Sequence, residues 1–205
     1  MTHGIRIHRA GGPEQLVWES LEMAELGPRD VLVRHTAIGV NFIDTYHRSG
    51  LYPQPLPSGI GPEPPGVAER VGAEVSDVSP GDRVGYVSST PGAYAEARVV
   101  PADLLIPLPE HVSDEVAAAV LLKGMTVEFL VRRCFRVKPG QTVLWHAAAG
   151  GVGLIACQWL SAIDVDVIGI TGSLGKSSTK EVVAAVVGQR FNTVRSQGNF
   201  NNEIG

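Results

Sequence analysis

Cysteine is scarce in this chain of 205 residues. Cys134 and Cys157 are the only two, too few for a disulfide framework and without the clustering of a zinc site. Both fall in helix-like patterns, so reduced, buried thiols are expected. Six histidines, His3, His8, His35, His47, His111 and His146, also lack zinc-site spacing; most are expected at the surface or in packing, and no metal is expected. No segment reaches the roughly 18 apolar residues of a membrane span. The opening MTHGIRIHRAGG has no apolar secretion core, so a cytoplasmic location without membrane insertion is the expectation. Lys and Arg number 17 against 21 Asp and Glu, a net charge of −4. With no run of like charge, nothing marks a nucleic-acid or anionic-membrane partner. The 44% apolar fraction is that of a soluble globular chain with room for one large or two small domains.

What is present centres on Thr142–Gly153, TVLWHAAAGGVG, which runs into the helix-like LIACQWLSAI. A β-rich apolar run, a glycine cluster and an amphipathic helix follow one another. Ala148, Gly150 and Gly153 hold the three positions of a G-x-G-x-x-G fingerprint, with alanine at the first, so backbone amides at the helix start can approach a pyrophosphate. An enzyme preferring NAD has an Asp or Glu at the tip of the next strand, about 20 residues further on. Here Val165–Thr171 is followed by Gly172, Ser173, Leu174, Gly175 and Lys176. A hydroxyl, free amides and a cation suit a 2′-phosphate, and NADPH is expected over NADH.

From residue 5 to about 107 the chain is β-like. IRIHR, QLVWE, DVLVRHTAIGV, GVAERVG, RVGYV and YAEARVV are separated by Gly, Pro and Asp clusters, which predicts a compact barrel-like or sandwich domain. Asn41–Pro53 reads as a polar and aromatic loop between strands, suited to a flat ring ligand. Gly61–Gly66, GPEPPG, reads as a stiff turn around a satisfied acid. A helical section is expected from about Asp114 to Phe135. Gly124 inside it costs about 1 kcal/mol against alanine, which points to a close approach or a domain joint near Lys123. Three strands, near 142–146, 165–171 and 193–196, are expected after that joint.

Taken together, NFIDTYHRSGLYP, GPEPPG, SPGDRVGY, LLKGMTVEFLVRR and HAAAGGVGLIACQW resemble the zeta-crystallin-like quinone oxidoreductase branch of the medium-chain dehydrogenase/reductase superfamily. The resemblance covers residues 1 to about 163. It implies an α/β chain: a GroES-like β-rich catalytic domain over 1–122, then a truncated Rossmann-type parallel sheet with helices over 123–205, with NADPH in the cleft between them. Alcohol dehydrogenases of the superfamily have a zinc-ligand histidine where Pro62 stands, which agrees with the metal-free branch. The resemblance implies a catalytic site at Asn41, Asp44, Tyr46, Tyr52 and Lys123. It implies cofactor contacts from Phe42, Ile43, Thr45, Thr126, Phe129, Ala149, Gly150, Gly151, Val152, Gly153, Gly172, Ser173 and Lys176. The family often has tyrosine at the position of Phe129. A small-molecule quinone would accept hydride from the nicotinamide, no side chain is assigned as a base, and the family is homodimeric. Because its members are considerably longer, NADPH binding rather than full turnover is expected.

After about Ile163 the resemblance changes. VIGITGSLGKSSTKEVVAAVV and the closing GNFNNEIG look like the ATP-binding start of a Mur ligase, the enzyme adding D-alanyl-D-alanine to a UDP-muramoyl tripeptide. In that reading Thr171–Ser178 is a phosphate loop with Lys176 on the terminal phosphates and Ser177 on magnesium, and the chain is a chimera over 164–205. ATP or phosphate binding, or a non-catalytic binding protein, are the alternatives to quinone reduction.

Overall fold

The computed structural model describes residues 1–170, 182–186, 188 and 189. It divides into two compact units, Met1–Leu122 and Lys123–Gly205.

In the first unit, short β-branched runs broken by Gly, Pro and Asp form eight strands: β1 (Thr2–Ile7), β2 (Val17–Leu21), β3 (Asp30–His35), β4 (Ser58–Gly59), β5 (Pro65–Val71), β6 (Arg83–Gly85), β7 (Ala97–Pro101) and β8 (Ile106–Pro107). One antiparallel sheet has the order β7-β3-β5-β6-β8 and another the order β2-β1-β4. Gly4 bridges to Ala95, and Ile5 N–H donates to Tyr94 O at 2.6 Å, which joins β1 to the chain entering β7. Strand β3 is the spine: Val31 pairs with Val100 on one side and Val71 on the other, and Val31, Leu32 and Val33 are all buried. With Ala68, Val78, Val84, Tyr86 and Val100 these valines form the core, each fully buried aliphatic side chain contributing about 1.5–3 kcal/mol.

The expected extended run 30–40 stops at His35. Thr36 N–H leaves the ladder for Pro65 O, and Gly39 N–H donates to Glu63 O. Strands β4 and β8, two residues each, were not expected, since so short a pairing leaves no periodic trace in sequence. The larger departure is Asn41–Pro53, expected as a loop: residues Phe42–Ser49 form a helix, α1.

Helix α2 (Asp114–Glu128) is followed directly by a π-helical turn, Phe129–Cys134. Among the described residues a Cβ on Gly124 would meet no neighbouring side chain or element within 4 Å, so of the two readings of this glycine, a close approach or a domain joint, the close approach is not seen there. In the second unit β9 (Thr142–His146), α3 (Gly151–Ala162) and β10 (Asp166–Ile170) make a βαβ unit, with Thr142 opposite Asp166 and His146 opposite Ile170 in parallel register. Val127, Val131, Ala156, Leu160 and Val165 form its core. The strand expected near 193–196 lies outside the described residues. Both cysteines are free, but neither is buried as expected: Cys134 closes the π-helical turn exposed and Cys157 is partly exposed on α3. Among the described residues no helix is long and apolar enough to cross a membrane.

Candidate functional site

Helix α1 forms because its ends are specified. Asn41, extended at φ −127°, ψ 152°, is the N-cap, and Asp44 at the third helical position turns back to it. Asn41 N–H donates to Asp44 Oδ2 at 2.9 Å. At the other end Gly50 takes φ +81°, which an L side chain rarely adopts, and its N–H donates to His47 O. The loop reading failed because α1 is only eight residues long and mostly polar, too short for its helical period to stand out from the sequence.

The capping acid is buried. Asp44 is 4% exposed, and its Oδ2 accepts a second hydrogen bond from Tyr94 Oη at 2.9 Å. Burial first, and then the negative charge of Asp44, push the Tyr94 phenol well above its ordinary value. Deeper still is Glu63, with no exposed surface. Its Oε1 accepts from Asn41 Nδ2 at 2.6 Å and its Oε2 from Leu122 N–H at 2.5 Å. The acid of the proline-rich turn is therefore satisfied, as expected, and it also grips the cap of α1.

The side chains of α1 and the turn after it carry an aromatic group. Phe42 and Tyr46 meet edge to face with centroids 5.2 Å apart, and Tyr46 and Tyr52 lie 5.1 Å apart at 55°. Tyr52 N–H donates to Tyr46 O, which seats the second ring beside the helix. Phe42 is 74% exposed and Ile43 partly buried. Thr45 Oγ1 donates to Phe42 O at 2.7 Å. Such a surface offers flat apolar faces flanked by an amide and phenolic hydroxyls, which fits a planar polar ring. Of the residues expected here, Asn41, Phe42, Ile43, Thr45, Tyr46 and Tyr52 lie on or beside α1, whereas Asp44 faces inward as a brace. Glu63 and Tyr94, 22 and 50 residues from their partners in sequence, were not expected as parts of the site.

The second unit holds the glycine turn. Strand β9 ends at His146, Ala147 takes a positive φ of 58°, and Gly150 caps α3 with an extended backbone and no side-chain hydrogen bond. Gly150 N–H is used internally, donating to Ala147 O at 2.8 Å. Gly153 is fixed by closeness: a Cβ there would sit 2.4 Å from Ala147 O and 2.5 Å from Ala148 O. Ala149, Gly150 and Gly151 are exposed, Val152 is partly buried against the core, and no acid lies in the first turn of α3. This helix start suits an anion, because the first-turn amides of a helix have no partner within it, the dipole is positive at that end and no acid stands in the first turn. The stem of Lys123 lies beside the turn, its Cδ and Cε 3.0 Å from where a Cβ on Gly151 would be. Thr126 is partly exposed on α2, and Phe129, 38% exposed, opens the π-helical turn. Gly172, Ser173 and Lys176 lie outside the described residues, as does most of the segment likened to a Mur ligase. Among the described residues no cluster of His, Cys, Asp and Glu can hold a metal.

Residues 27–110 match the alcohol dehydrogenase GroES-like domain. Over 178 residues the chain is 50% identical to a quinone oxidoreductase of Pseudomonas aeruginosa, covering 86% of this chain and 55% of that protein. It is 43% identical to a 2-haloacrylate reductase of a Burkholderia species, covering 87% and 56% respectively. The crystal structure of Escherichia coli quinone oxidoreductase complexed with NADPH superposes with a TM-score of 0.82 at 41% identity, over 91% of this chain and 63% of that one. The chain thus combines a GroES-like domain with a Rossmann-like sheet and helices, and it spans about half the length of the curated relatives it matches. Nothing in these comparisons supports the Mur-ligase reading or a chimera.

Proposed function

We propose that this chain belongs to the quinone oxidoreductase branch of the medium-chain dehydrogenase/reductase superfamily, binds NADPH and serves its reduction of a quinone. One observation carries the reading: α3 opens after Gly150 with no side-chain cap and no acid in its first turn, at a turn packed so closely that Gly153 has no room for a side chain. Those features fit the diphosphate of a dinucleotide. Sequence identity of 50% to a quinone oxidoreductase, and structural similarity to one complexed with NADPH, support the same assignment.

When bound, the nicotinamide supplies a hydride; the protein's share is binding, orientation and exclusion of water. The amides of Gly151, Val152 and Gly153 hold the diphosphate. Phe42, Tyr46 and Tyr52 lie against planar rings, and Asn41 offers them an amide. Asp44 and Glu63 keep α1 and its cap in place. Lys123 and Thr126 contribute polar contacts, while Phe129 contributes a ring face without the hydroxyl often found there in the family. Gly172, Ser173 and Lys176 hold the 2′-phosphate.

Titration with NADPH and NADH, followed by the fluorescence of Trp145 in β9, tests this. NADPH should bind more tightly than NADH. Lys176→Ala should weaken NADPH by about 1–3 kcal/mol, the scale of a hydrogen bond to a charged group, and leave NADH unchanged. Equal loss for both cofactors removes the 2′-phosphate assignment, and failure of NADPH to bind at all removes the function. Turnover of a quinone and of 2-haloacrylate in parallel identifies which electron-poor substrate the rings accept.

A further inference from the structure

Glu63 is the most deeply buried acid among the described residues, and both its oxygens are engaged. Oε2 takes Leu122 N–H, a donor that cannot be reversed, and Oε1 takes the amide of Asn41. Only the NH2 side of that amide satisfies an accepting oxygen. A half-buried amide on an open surface could turn by 180° to suit whatever approaches it; this one is held by a contact of 2.6 Å.

We propose that Glu63 is a positioning residue that fixes the polarity of Asn41. With one N–H of Nδ2 given to the acid, the amide is held in the orientation that turns its carbonyl oxygen away from Glu63. That oxygen has two acceptor directions, so it receives a hydrogen bond from the ligand even where one direction serves the N-terminus of α1. The ligand group met at the Asn41 oxygen is therefore a donor. Resting on the NADPH reading above, that donor is a carboxamide N–H or a ribose hydroxyl of the nicotinamide half. The proton arrangement is set in the folded protein before any ligand arrives.

Reversing the polarity tests this. In Glu63→Gln the new side chain keeps a carbonyl for Leu122 N–H and turns an NH2 toward Asn41, whose amide must flip and offer the ligand a donor against a donor. In the double variant N41D/E63Q the glutamine NH2 meets a carboxylate, and an acceptor again faces the ligand. NADPH binding should fall about tenfold in Glu63→Gln, the scale of one misdirected hydrogen bond, and return to within about threefold of the parent in the double variant. A purely structural role predicts no such restoration. Adenosine 2′,5′-bisphosphate, which lacks the nicotinamide half, should bind all three proteins alike. The 3-acetylpyridine analogue of NADPH separates the two donors: it loses affinity in the parent if the carboxamide is bound, and keeps it if the ribose is.

Unchanged NADPH affinity in Glu63→Gln, or no recovery in a double variant with the parent's thermal midpoint, overturns the proposal while leaving the NADPH reading intact. Absence of binding by both the bisphosphate and NADPH defeats that reading instead. The polarity is then still decided by NMR of the Asn41 side-chain NH2. Its protons should be shifted downfield and slow to exchange in the parent and ordinary in Glu63→Gln; ordinary protons in the parent overturn it.

Discussion

At the scale of single residues, the buried acids of the first unit have specific partners, Glu63 with Asn41 and Leu122 and Asp44 with Tyr94. His35 shows the cost of such an arrangement. Its Nδ1 meets Ala95 O at 2.6 Å and its Nε2 meets Tyr86 Oη at 2.9 Å, and burial lowers its pKa from 6.5 to about 4. Burial likewise raises the Tyr86 phenol to about 12. The unfolded chain binds a proton at His35 between about pH 6.5 and 4 and the folded chain does not. The stability His35 contributes is thus complete above about pH 6.5 and is lost as pH falls toward 4, by roughly 3 kcal/mol. Urea midpoints across this range should fall in the parent and stay flatter in His35→Gln. Parallel curves would show that another group titrates. Little of this was legible in the sequence, where His35 is one histidine among six. Glu63 was legible as a satisfied acid in a proline turn, but its partners, 22 and 59 residues away, follow only from the fold.

At the scale of elements, legibility tracks local patterning. Strand β9, the glycine cluster and α3 announce themselves through a β-branched run, Gly150 and Gly153, and an apolar helix, and the structure has all three. Helix α1 was hidden although its signals were present: asparagine at the cap, aspartate three residues on and glycine at the end are the helix-start and helix-stop chemistry. The aromatic and polar content of FIDTYHRS masked them, because the ring face of the site occupies the surface where an apolar stripe would be. The turn before α3 yields the prediction at this scale. Gly153→Ala places a methyl 2.4 Å from the fixed backbone oxygen of Ala147. It should destabilise the second unit by about 1–3 kcal/mol and weaken NADPH by at least about tenfold. Denaturant melts and cofactor titration check both effects, and an unperturbed protein would mean the turn relaxes freely.

For the molecule as a whole, two hydrophobic cores in two compact units imply two reporters of folding. All four tyrosines, Tyr46, Tyr52, Tyr86 and Tyr94, belong to the first unit, and Trp145 and Trp159 belong to the second. Trp18 of the first unit is 57% exposed and changes little on unfolding. Leu160, fully buried in the second core, sets the test. Leu160→Ala should cost about 2–5 kcal/mol and lower the transition seen by tryptophan fluorescence. The tyrosine near-ultraviolet dichroism of the first unit should keep its midpoint, and a joint shift of both signals would show one cooperative block.

The bare sulfur of Cys134 at the end of the π-helical turn has a practical corollary. An exposed thiol joins to its like in an oxidising buffer, so a doubled band on a gel run without reductant reports sulfur chemistry between strangers. Subunit pairing is properly judged only after a thiol has been added or Cys134 replaced by serine.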